Sequence, residues 1–262
     1  MKRSSLLDLL VERFPDTPRE RLMSYVLAGE VLVDGELVRE PRRRVPAEAR
    51  IEFEDERFVS RGGLKLDHAI TAWSLPVEGR VFIDAGASTG GFTDCLLQHG
   101  AAASHAVDVG YNQLAYALRR DPRVIVHERT NIMHVSSVDP PAHAGVCDLS
   151  FRSAVGAARH LMGLLTEGWV IALVKPQFEV DPDTPGFDGV VRDERLLRDT
   201  LDATARRLAE AGMEVFAAVP SPILGRRGNR EFLFLVGRAV GNVSSGPLRP
   251  FEVVAACLPD AS

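Results

Sequence analysis

The sequence predicts an α/β fold with a mostly parallel, doubly wound sheet of the Rossmann type, preceded by a small α+β module. Short apolar strands alternate with segments of helical periodicity from residue 65 onward, which is typical of such a sheet. The first strand runs into a glycine-rich turn at residues 84–91. Sheets of this type bind ligands at their strand ends, so the turn predicts a ligand site. Before residue 57 the pattern changes to two helical segments, a hairpin and an arginine cluster.

The composition limits the classes of function that the chain can have. Its 262 residues are enough for one α/β domain and a small module. A net charge of −5 argues against nucleic-acid binding through bulk charge, so any such contact must come from local basic clusters. The three cysteines form no CxxC pair and suggest neither a disulfide framework nor a metal site. With no secretory signal and no apolar run of ~20 residues, we expect a cytoplasmic protein without a membrane partner.

The first segment has the pattern of a compact module. Leucines recur at helical spacing from its start, and Thr17 before Pro18 predicts the beginning of a second helix that ends near Gly29. Asp34 and Gly35 predict a tight hairpin, and a short strand follows it. This arrangement resembles the S4-type RNA-binding domain, which implies contact with RNA.

The candidate RNA contacts of this module and of the linker after it are all arginines. They are Arg3, Arg19, Arg42, Arg43, Arg44 and Arg61. A solvated charge run on a loop is the alternative interpretation of residues 42–44. Beside a hairpin of this type, contact with phosphates is the interpretation that we favour.

The chain divides into four segments. We predict the S4-like module at residues 1–57, a linker at 58–64, the main domain at 65–240 and a tail at 241–262 without an assigned role. Candidate strands of the main domain lie at 81–83, 103–107, 124–126, 145–147, 169–174, 213–218 and 231–236. Candidate helices lie at 92–99, 112–119, 154–165 and 194–211.

The glycine-rich turn indicates a cofactor other than a dinucleotide. Its strand ends in an acid, Asp84, which suits a cationic partner such as the amino group or sulfonium of S-adenosylmethionine better than a pyrophosphate. A second acid, Asp108, ends the next strand and is placed to bind ribose hydroxyls. We expect the cofactor to contact Asp84, Gly86, Ser88, Gly90, Gly91, Phe92, Asp108, Val109, Glu128 and Asn131. The alternative is that the acids merely cap helices.

Two lysines and two acids form the candidate catalytic set: Lys65, Asp148, Lys175 and Glu231. Lys175 ends an apolar strand, and Asp148 lies likewise at a strand end. A ribose 2′-hydroxyl becomes a good nucleophile only when a nearby base removes its proton, and a neutral lysine can serve. The acids would hold both amines in place, and direct methyl transfer requires no metal. Taken singly, a Lys–Asp pair is more often a structural salt bridge.

Strings along nearly the whole chain carry a family resemblance. They lie at residues 59–66, 84–94, 108–111, 128–132, 175–179, 189–193, 221–225 and 228–232. The chain resembles the TlyA (hemolysin A) group of FtsJ-like RNA methyltransferases. The resemblance implies S-adenosylmethionine-dependent 2′-O-methylation of cytidine in ribosomal RNA, with the family's Lys-Asp-Lys-Glu set at the four positions above. The chain departs from the family at Met133 and His134 and in the acidic loop 181–188, and both departures bear on RNA contact.

Other functions remain open from the sequence. They are a membrane-lytic protein, an idle RNA-binding or ribosome-assembly factor, and a methyltransferase for small molecules. Tyr111, Phe151 and Phe178 are either stacking residues for a flipped base or core aromatics. The subunit and nucleotide that are modified do not follow from the residues, and a monomer is the default expectation.

Overall fold

The protein forms two compact units, residues 1–57 and 58–262, each with its own hydrophobic core. The structure is a computed structural model that describes residues 3–15, 17–29, 31–53, 57–150, 153–181, 183–238 and 246–258. Phe151, one of the candidate stacking residues, lies outside these ranges.

The first unit is an α+β module. Its elements are β1 (Arg3–Ser5), α1 (Leu6–Arg13), α2 (Arg19–Ala28), β2 (Val31–Val33), β3 (Glu36–Leu37), β4 (Arg44–Pro46) and β5 (Ile51–Phe53). Strands β3, β2 and β5 form one antiparallel sheet, and β1 pairs with β4. Both helices bury their leucine and valine faces in a common core, in which Leu6, Leu10 and Leu22 are fully buried.

Local sequence explains where the elements of this unit begin and end. Asp34 and Gly35 both have positive φ, 52° and 82°, as a two-residue hairpin turn requires. Gly29 ends α2 in the left-handed conformation. Thr17 was expected to cap the second helix, with Pro18 as its first residue. That prediction was wrong by one residue, because Pro18 is the N-cap and α2 begins at Arg19.

The second unit is built on a seven-stranded sheet. Its strands are β6 (Val81–Ala85), β7 (Ala103–Val107), β8 (Val124–His127), β9 (Ala144–Cys147), β10 (Trp169–Val174), β11 (Glu214–Pro220) and β12 (Phe232–Gly237). Its helices are α3 (Gly62–Trp73), α4 (Gly91–Gln98), α5 (Tyr116–Arg120), α6 (Ala154–Met162), α7 (Glu194–Glu210) and α8 (Pro250–Cys257).

The strand order is β11-β12-β10-β9-β6-β7-β8. Strand β12 runs in the opposite direction to the other six strands of this sheet. The predicted doubly wound, mostly parallel sheet is therefore confirmed. Strand β6 has β7 on one side and β9 on the other, so the strand order reverses there, which is where such sheets bind ligands. Strands β6, β9, β10 and β12 are buried along their whole length, which explains why they appear as continuous apolar runs.

Three predicted boundaries need correction. Helix α3 begins at Gly62, so the last part of the predicted linker 58–64 is helical. The predicted helix at 112–119 forms only from Tyr116, because Asn112 has a φ of 57° that no α-helix accommodates. The tail 241–262 contains α8, which packs against α7 and β11 and buries Val253 and Cys257. In the described residues, no helix has the length and apolar character needed to cross a membrane.

Candidate functional site

Strand pairing brings three of the four candidate catalytic residues to one edge of the sheet. In the parallel pair β9–β10, Cys147 lies opposite Ala172, and Asp148 follows directly. In the antiparallel pair β10–β12, Val174 lies opposite Phe232. Lys175 and Glu231 are the next residues outward on those two strands, so the carboxyl end of β10 meets the amino end of β12. The fourth residue, Lys65, lies in the first turn of α3.

The four side chains form two ion pairs. Lys65 Nζ donates to Glu231 Oε2 at 2.5 Å, and these two side chains are 10% and 4% exposed. Lys175 Nζ contacts Asp148 Oδ1 and donates to the carbonyl oxygen of Leu149 at 3.1 Å. Lys65 and Asp148 line one open cavity of about 140 Å³, and each is paired with one of the other two residues, Glu231 and Lys175. The predicted set is therefore assembled at a single cavity.

The loop before Glu231 packs tightly against its carboxylate. A Cβ atom added to Gly225 would lie 2.0 Å from Glu231 Oε1, which no side chain tolerates without moving the glutamate. The carbonyl oxygen of Leu224 accepts a hydrogen bond from Arg61 Nη2 at 2.7 Å. Arg61 also lines the cavity. The loop thus fixes the Lys65–Glu231 pair from its far side.

The glycine-rich turn forms the opposite wall of the cavity. Gly86, Ser88, Gly91 and Phe92, four of the predicted cofactor contacts, all line it. Gly86 has a φ of 87°, and a Cβ there would lie 2.4 Å from the carbonyl oxygen of Asp148. Glycine is therefore required where the turn approaches the catalytic strand end. The turn and the two ion pairs face the same space.

Gly90, another predicted cofactor contact, has a φ of 101° and is the N-cap of α4. A Cβ there would lie 2.3 Å from Leu118 Cδ1 and 2.8 Å from Leu114 Cδ1. The structure thus gives Gly90 a packing role against α5.

Asp84 differs from the other acids because its carboxylate is fully buried. Its Oδ2 accepts a hydrogen bond from Thr93 Oγ1 at 2.7 Å, whereas Oδ1 has no hydrogen-bond partner among the described residues. Burial raises the pKa of Asp84 from 3.8 to about 7, and the neighbouring carboxylate of Asp148 raises it further against the opposing bond from Thr93. An unpartnered carboxylate oxygen at this strand end suits a cationic ligand group.

The raised pKa of Asp84 predicts a pH-dependent stability. Because the folded pKa lies above the unfolded one, the stabilisation from Asp84 is complete below about pH 4 and is lost as the pH rises through about 7. Asp84→Asn cannot ionise. Its free energy of unfolding relative to wild type should therefore rise by roughly 2 to 4 kcal/mol between pH 4 and pH 8. Urea unfolding at both pH values measures this, and an equal difference at both would show that Asp84 is already ionised in the fold.

A second, smaller crevice adjoins the turn on the side of β7 and β8. It shares Ala87 and Ser88 with the main cavity and contains Asp108 and Glu128. Asp108 Oδ2 accepts from the Ser88 amide at 2.8 Å and Oδ1 from the Gly110 amide at 2.6 Å, so the acid orders both loops. Val109, beside it, is 70% exposed.

Glu128 lines this crevice and is held by its neighbours. Its Oε1 accepts from the Asn112 amide at 2.6 Å and from Arg119 Nη2. The Arg119 guanidinium holds the pKa of the Glu128 carboxyl below its usual range. Asn131, predicted beside it, instead caps the 3₁₀ turn Ile132–His134 through the Met133 amide. The structure thus gives Asn131 a local structural role.

The predicted RNA-binding arginines of the first unit differ in their exposure and in their ion pairs. Arg3, Arg42 and Arg44 are exposed. Arg43 forms a bidentate ion pair with Glu36, with a shortest distance of 2.6 Å, and Arg19 pairs with Asp8 at 3.1 Å. These pairs lie at the surface, where an ion pair contributes little and can exchange its partner for a phosphate.

Two motif residues turn out to be structural. Glu179 is buried and accepts hydrogen bonds from the Ser153 hydroxyl, the Ala154 amide and Arg207 Nη2, which fixes the start of α6. Asn229 is buried and ties its loop to residues 189–191. Both residues stabilise elements beside the site, and neither lines the cavity.

One cluster of a carboxylate, a thiol and an imidazole was not predicted from the sequence. A carboxylate oxygen of Asp67, the thiol sulfur of Cys95 and a ring nitrogen of His99 lie within 4.8 Å of one another. Linear spacing gave no signal, because Asp67 comes from α3 whereas Cys95 belongs to α4. His99 Nε2 and Asp67 Oδ1 are hydrogen-bonded at 2.8 Å, so the contact links the two helices.

Comparison with known proteins gives a consistent result. The family model described as FtsJ-like methyltransferase matches residues 58–238. The 16S/23S rRNA (cytidine-2'-O)-methyltransferase TlyA of Mycobacterium tuberculosis is 40% identical over 232 residues, covering 85% of each chain. Hemolysin A of Brachyspira hyodysenteriae is 37% identical over 82% of this chain and 92% of its own. A solved structure of a candidate hemolysin from Streptococcus thermophilus is 36% identical, covers 97% of this chain and 95% of its own, and superposes with a TM-score of 0.73.

Proposed function

Because the chain belongs to the FtsJ-like methyltransferase family, we propose that it transfers a methyl group from S-adenosylmethionine to the ribose 2′-oxygen of cytidine in ribosomal RNA. The observation that carries this proposal is the cavity lined by Lys65, by Asp148 and by residues of the glycine-rich turn, in which Lys65 is paired with Glu231 and Asp148 with Lys175. An enzyme that acts on ribosomes works in the cytoplasm.

The residues around the turn fit S-adenosylmethionine by their chemistry. Asp84 offers a carboxylate oxygen without a hydrogen-bond partner among the described residues, which suits the cationic amino acid end. Asp108 and Glu128 offer carboxylates in the adjoining crevice, which suit ribose hydroxyls and an adenine amino group. Gly86 and Gly91 also line the main cavity and place no side chain in it.

The catalytic residues act on the ribose hydroxyl. In this proposal Lys175 takes the proton of the 2′-hydroxyl onto a neutral Nζ, and Lys65 orients the hydroxyl oxygen by a charged hydrogen bond. Asp148 and Glu231 keep the two amines at the cavity wall. When bound, S-adenosylmethionine supplies a methyl group on a sulfonium sulfur, and the C–S bond breaks as the C–O bond forms. The released proton passes from Lys175 to solvent.

The choice of lysine supports these roles. Of the 31 lysines and arginines in the sequence, 28 are arginines, and the three lysines are Lys2, Lys65 and Lys175. A guanidinium stays protonated in proteins, whereas an ammonium can lose its proton. A chain that uses arginine almost everywhere else has lysine at both positions of the catalytic set, and the base role of Lys175 in this proposal requires a group that can lose its proton.

Ribosomal subunits test the proposal. Wild-type protein should transfer labelled methyl groups from S-adenosylmethionine to purified small subunits, large subunits or both, and the label should become soluble after ribonuclease digestion. Label that stays with ribosomal protein, or none on either subunit although the cofactor binds, would contradict an activity on ribosomal RNA. The two subunits assayed separately also show which one is the substrate.

We further propose that the first unit, which resembles an S4 domain, binds the ribosomal RNA through its exposed arginines. Arg42→Ala combined with Arg44→Ala should weaken subunit binding about tenfold near 0.1 M salt. It should also reduce the magnitude of the slope of log association constant against log salt concentration by about 1 to 2, because two phosphate contacts are lost. Filter binding across a salt series measures both quantities.

Arg50→Ala is the matched control, since Arg50 is exposed in the same unit and its guanidinium pairs with the nearby Glu52. An unchanged slope in the double variant would show that residues 42–44 are a solvated charge run.

A further inference from the structure

We infer that Arg119 is a positioning residue of the cofactor site, which sets the affinity for the adenosine part of the cofactor through Glu128 and Leu114. This inference rests on the proposed function, since it assigns the small crevice between β7 and β8 to adenosine. Arg119 lies in α5, outside every motif that the sequence indicated, and it acts through residues of the crevice wall.

Arg119 links two walls of the crevice. Its Nε donates to the carbonyl oxygen of Leu114 at 3.1 Å, and its Nη2 donates to Glu128 Oε1. Leu114 belongs to the loop after β7, whereas Glu128 follows β8, and both line the crevice. One guanidinium therefore links the loop after β7 to the end of β8.

The charge of Arg119 also determines the state and direction of Glu128. The pair is largely withdrawn from solvent, with side chains 25% and 15% exposed. Glu128 Oε1 accepts hydrogen bonds from Arg119 and from the Asn112 amide, and these two hydrogen bonds fix the carboxylate rotamer. Glu128 also lines the crevice, so its fixed carboxylate is placed to accept a donor from adenosine.

The loop that Arg119 anchors also contacts the glycine-rich turn. The Ala115 amide, next to Leu114, donates to the carbonyl oxygen of Thr89 at 3.0 Å. A Cβ atom added to Gly90 would lie 2.8 Å from Leu114 Cδ1, so the side chain of Leu114 packs against this glycine. Loss of the Arg119 bonds would therefore loosen the crevice together with the edge of the turn, and leave the Lys65–Glu231 and Lys175–Asp148 pairs in place.

The consequence is a separation of binding from chemistry. Arg119→Met keeps the length of the side chain and removes both bonds. We expect it to raise the Kd for S-adenosylmethionine and S-adenosylhomocysteine at least about tenfold, with kcat at saturating cofactor within about threefold of wild type. Arg119→Lys keeps the charge and one donor direction, so its Kd should fall between the two.

Arg120→Met is the matched control. Arg120 is the next residue of the same helix, is exposed, and contacts only the ring and hydroxyl of Tyr116 among its described partners. Its Kd and kcat should equal those of wild type. A general loss of helix stability would affect both variants, whereas a positioning role affects only Arg119.

Isothermal titration with S-adenosylhomocysteine, thermal unfolding and steady-state methyl transfer on wild type and the three variants test the inference. Equal Kd values for wild type and Arg119→Met, or a lower kcat with an unchanged Kd, would overturn it. If Arg119→Met unfolds below the assay temperature, the comparison of Arg119→Lys with wild type decides. Failure of wild type itself to bind the ligand would instead contradict the proposed function.

Discussion

We expect Lys175→Arg to lower the rate of methyl transfer strongly and to leave cofactor binding intact. The arginine keeps the positive charge beside Asp148 but cannot accept the hydroxyl proton. Loss of a general base costs about 10²- to 10⁴-fold, so the single-turnover rate should fall by at least about 10²-fold. The Kd for S-adenosylhomocysteine should stay within about threefold of wild type, because the glycine-rich turn is unchanged. Single-turnover transfer to ribosomal subunits and titration of the ligand measure the two quantities.

The same substitution at the other lysine is the control. Lys65→Arg preserves the charge that orients the hydroxyl, so it should retain at least tenfold more activity than Lys175→Arg. If Lys175→Arg were the more active of the two, Lys65 would be the base and the two roles would be exchanged. If both were fully active, neither lysine would accept the proton.

Glu231→Gln is expected to lower both stability and activity. Glu231 is 4% exposed and bonded to Lys65 at 2.5 Å, and the substitution leaves the Lys65 ammonium buried without its counter-charge. Removing one partner of such a pair costs about 3 kcal/mol or more in the free energy of unfolding. Displacement of Lys65 from the hydroxyl should lower kcat about 10²-fold. Urea unfolding and methyl transfer give the two values.

A double variant separates the two effects. Lys65→Met with Glu231→Gln removes the unpaired charge, so its free energy of unfolding should return to within about 1 to 2 kcal/mol of wild type. It should nevertheless stay inactive, because the group that orients the hydroxyl is missing. An active double variant would show that the pair is only structural. A Glu231→Gln protein of wild-type stability and activity would show that the pair contributes to neither.

Much of the fold and of the catalytic set follows from the sequence because the signals are local. Apolar runs such as 169–174 are buried on both faces of the sheet, and a polar residue directly after such a run lies at the carboxyl edge. Lys175 and Asp148 are placed by that rule alone, whereas Asp84 lies inside β6, which continues to Ala85. Glu231 is placed by the register of β10 and β12, in which Val174 lies opposite Phe232.

Other features depend on contacts that no local pattern indicates. The predicted tail contains α8, whose buried face depends on packing against α7 and β11. Arg119 and Glu128 form a pair across an intervening strand, and Gly225 matters only because Glu231 folds against it. Asp84 was expected as a cofactor contact, and it is fully buried because β6, which contains it, lies between β7 and β9.

The most direct test of the central claim is the chemical position of the methyl group. Ribosomal subunits are incubated with the protein and labelled S-adenosylmethionine, and the RNA is digested completely to nucleosides for mass spectrometry. We predict 2′-O-methylcytidine as the labelled product for wild type and its absence for Lys175→Arg. A methyl group on a base, or on the ribose of another nucleoside, would contradict the account of the two lysine–carboxylate pairs as a site for cytidine ribose methylation.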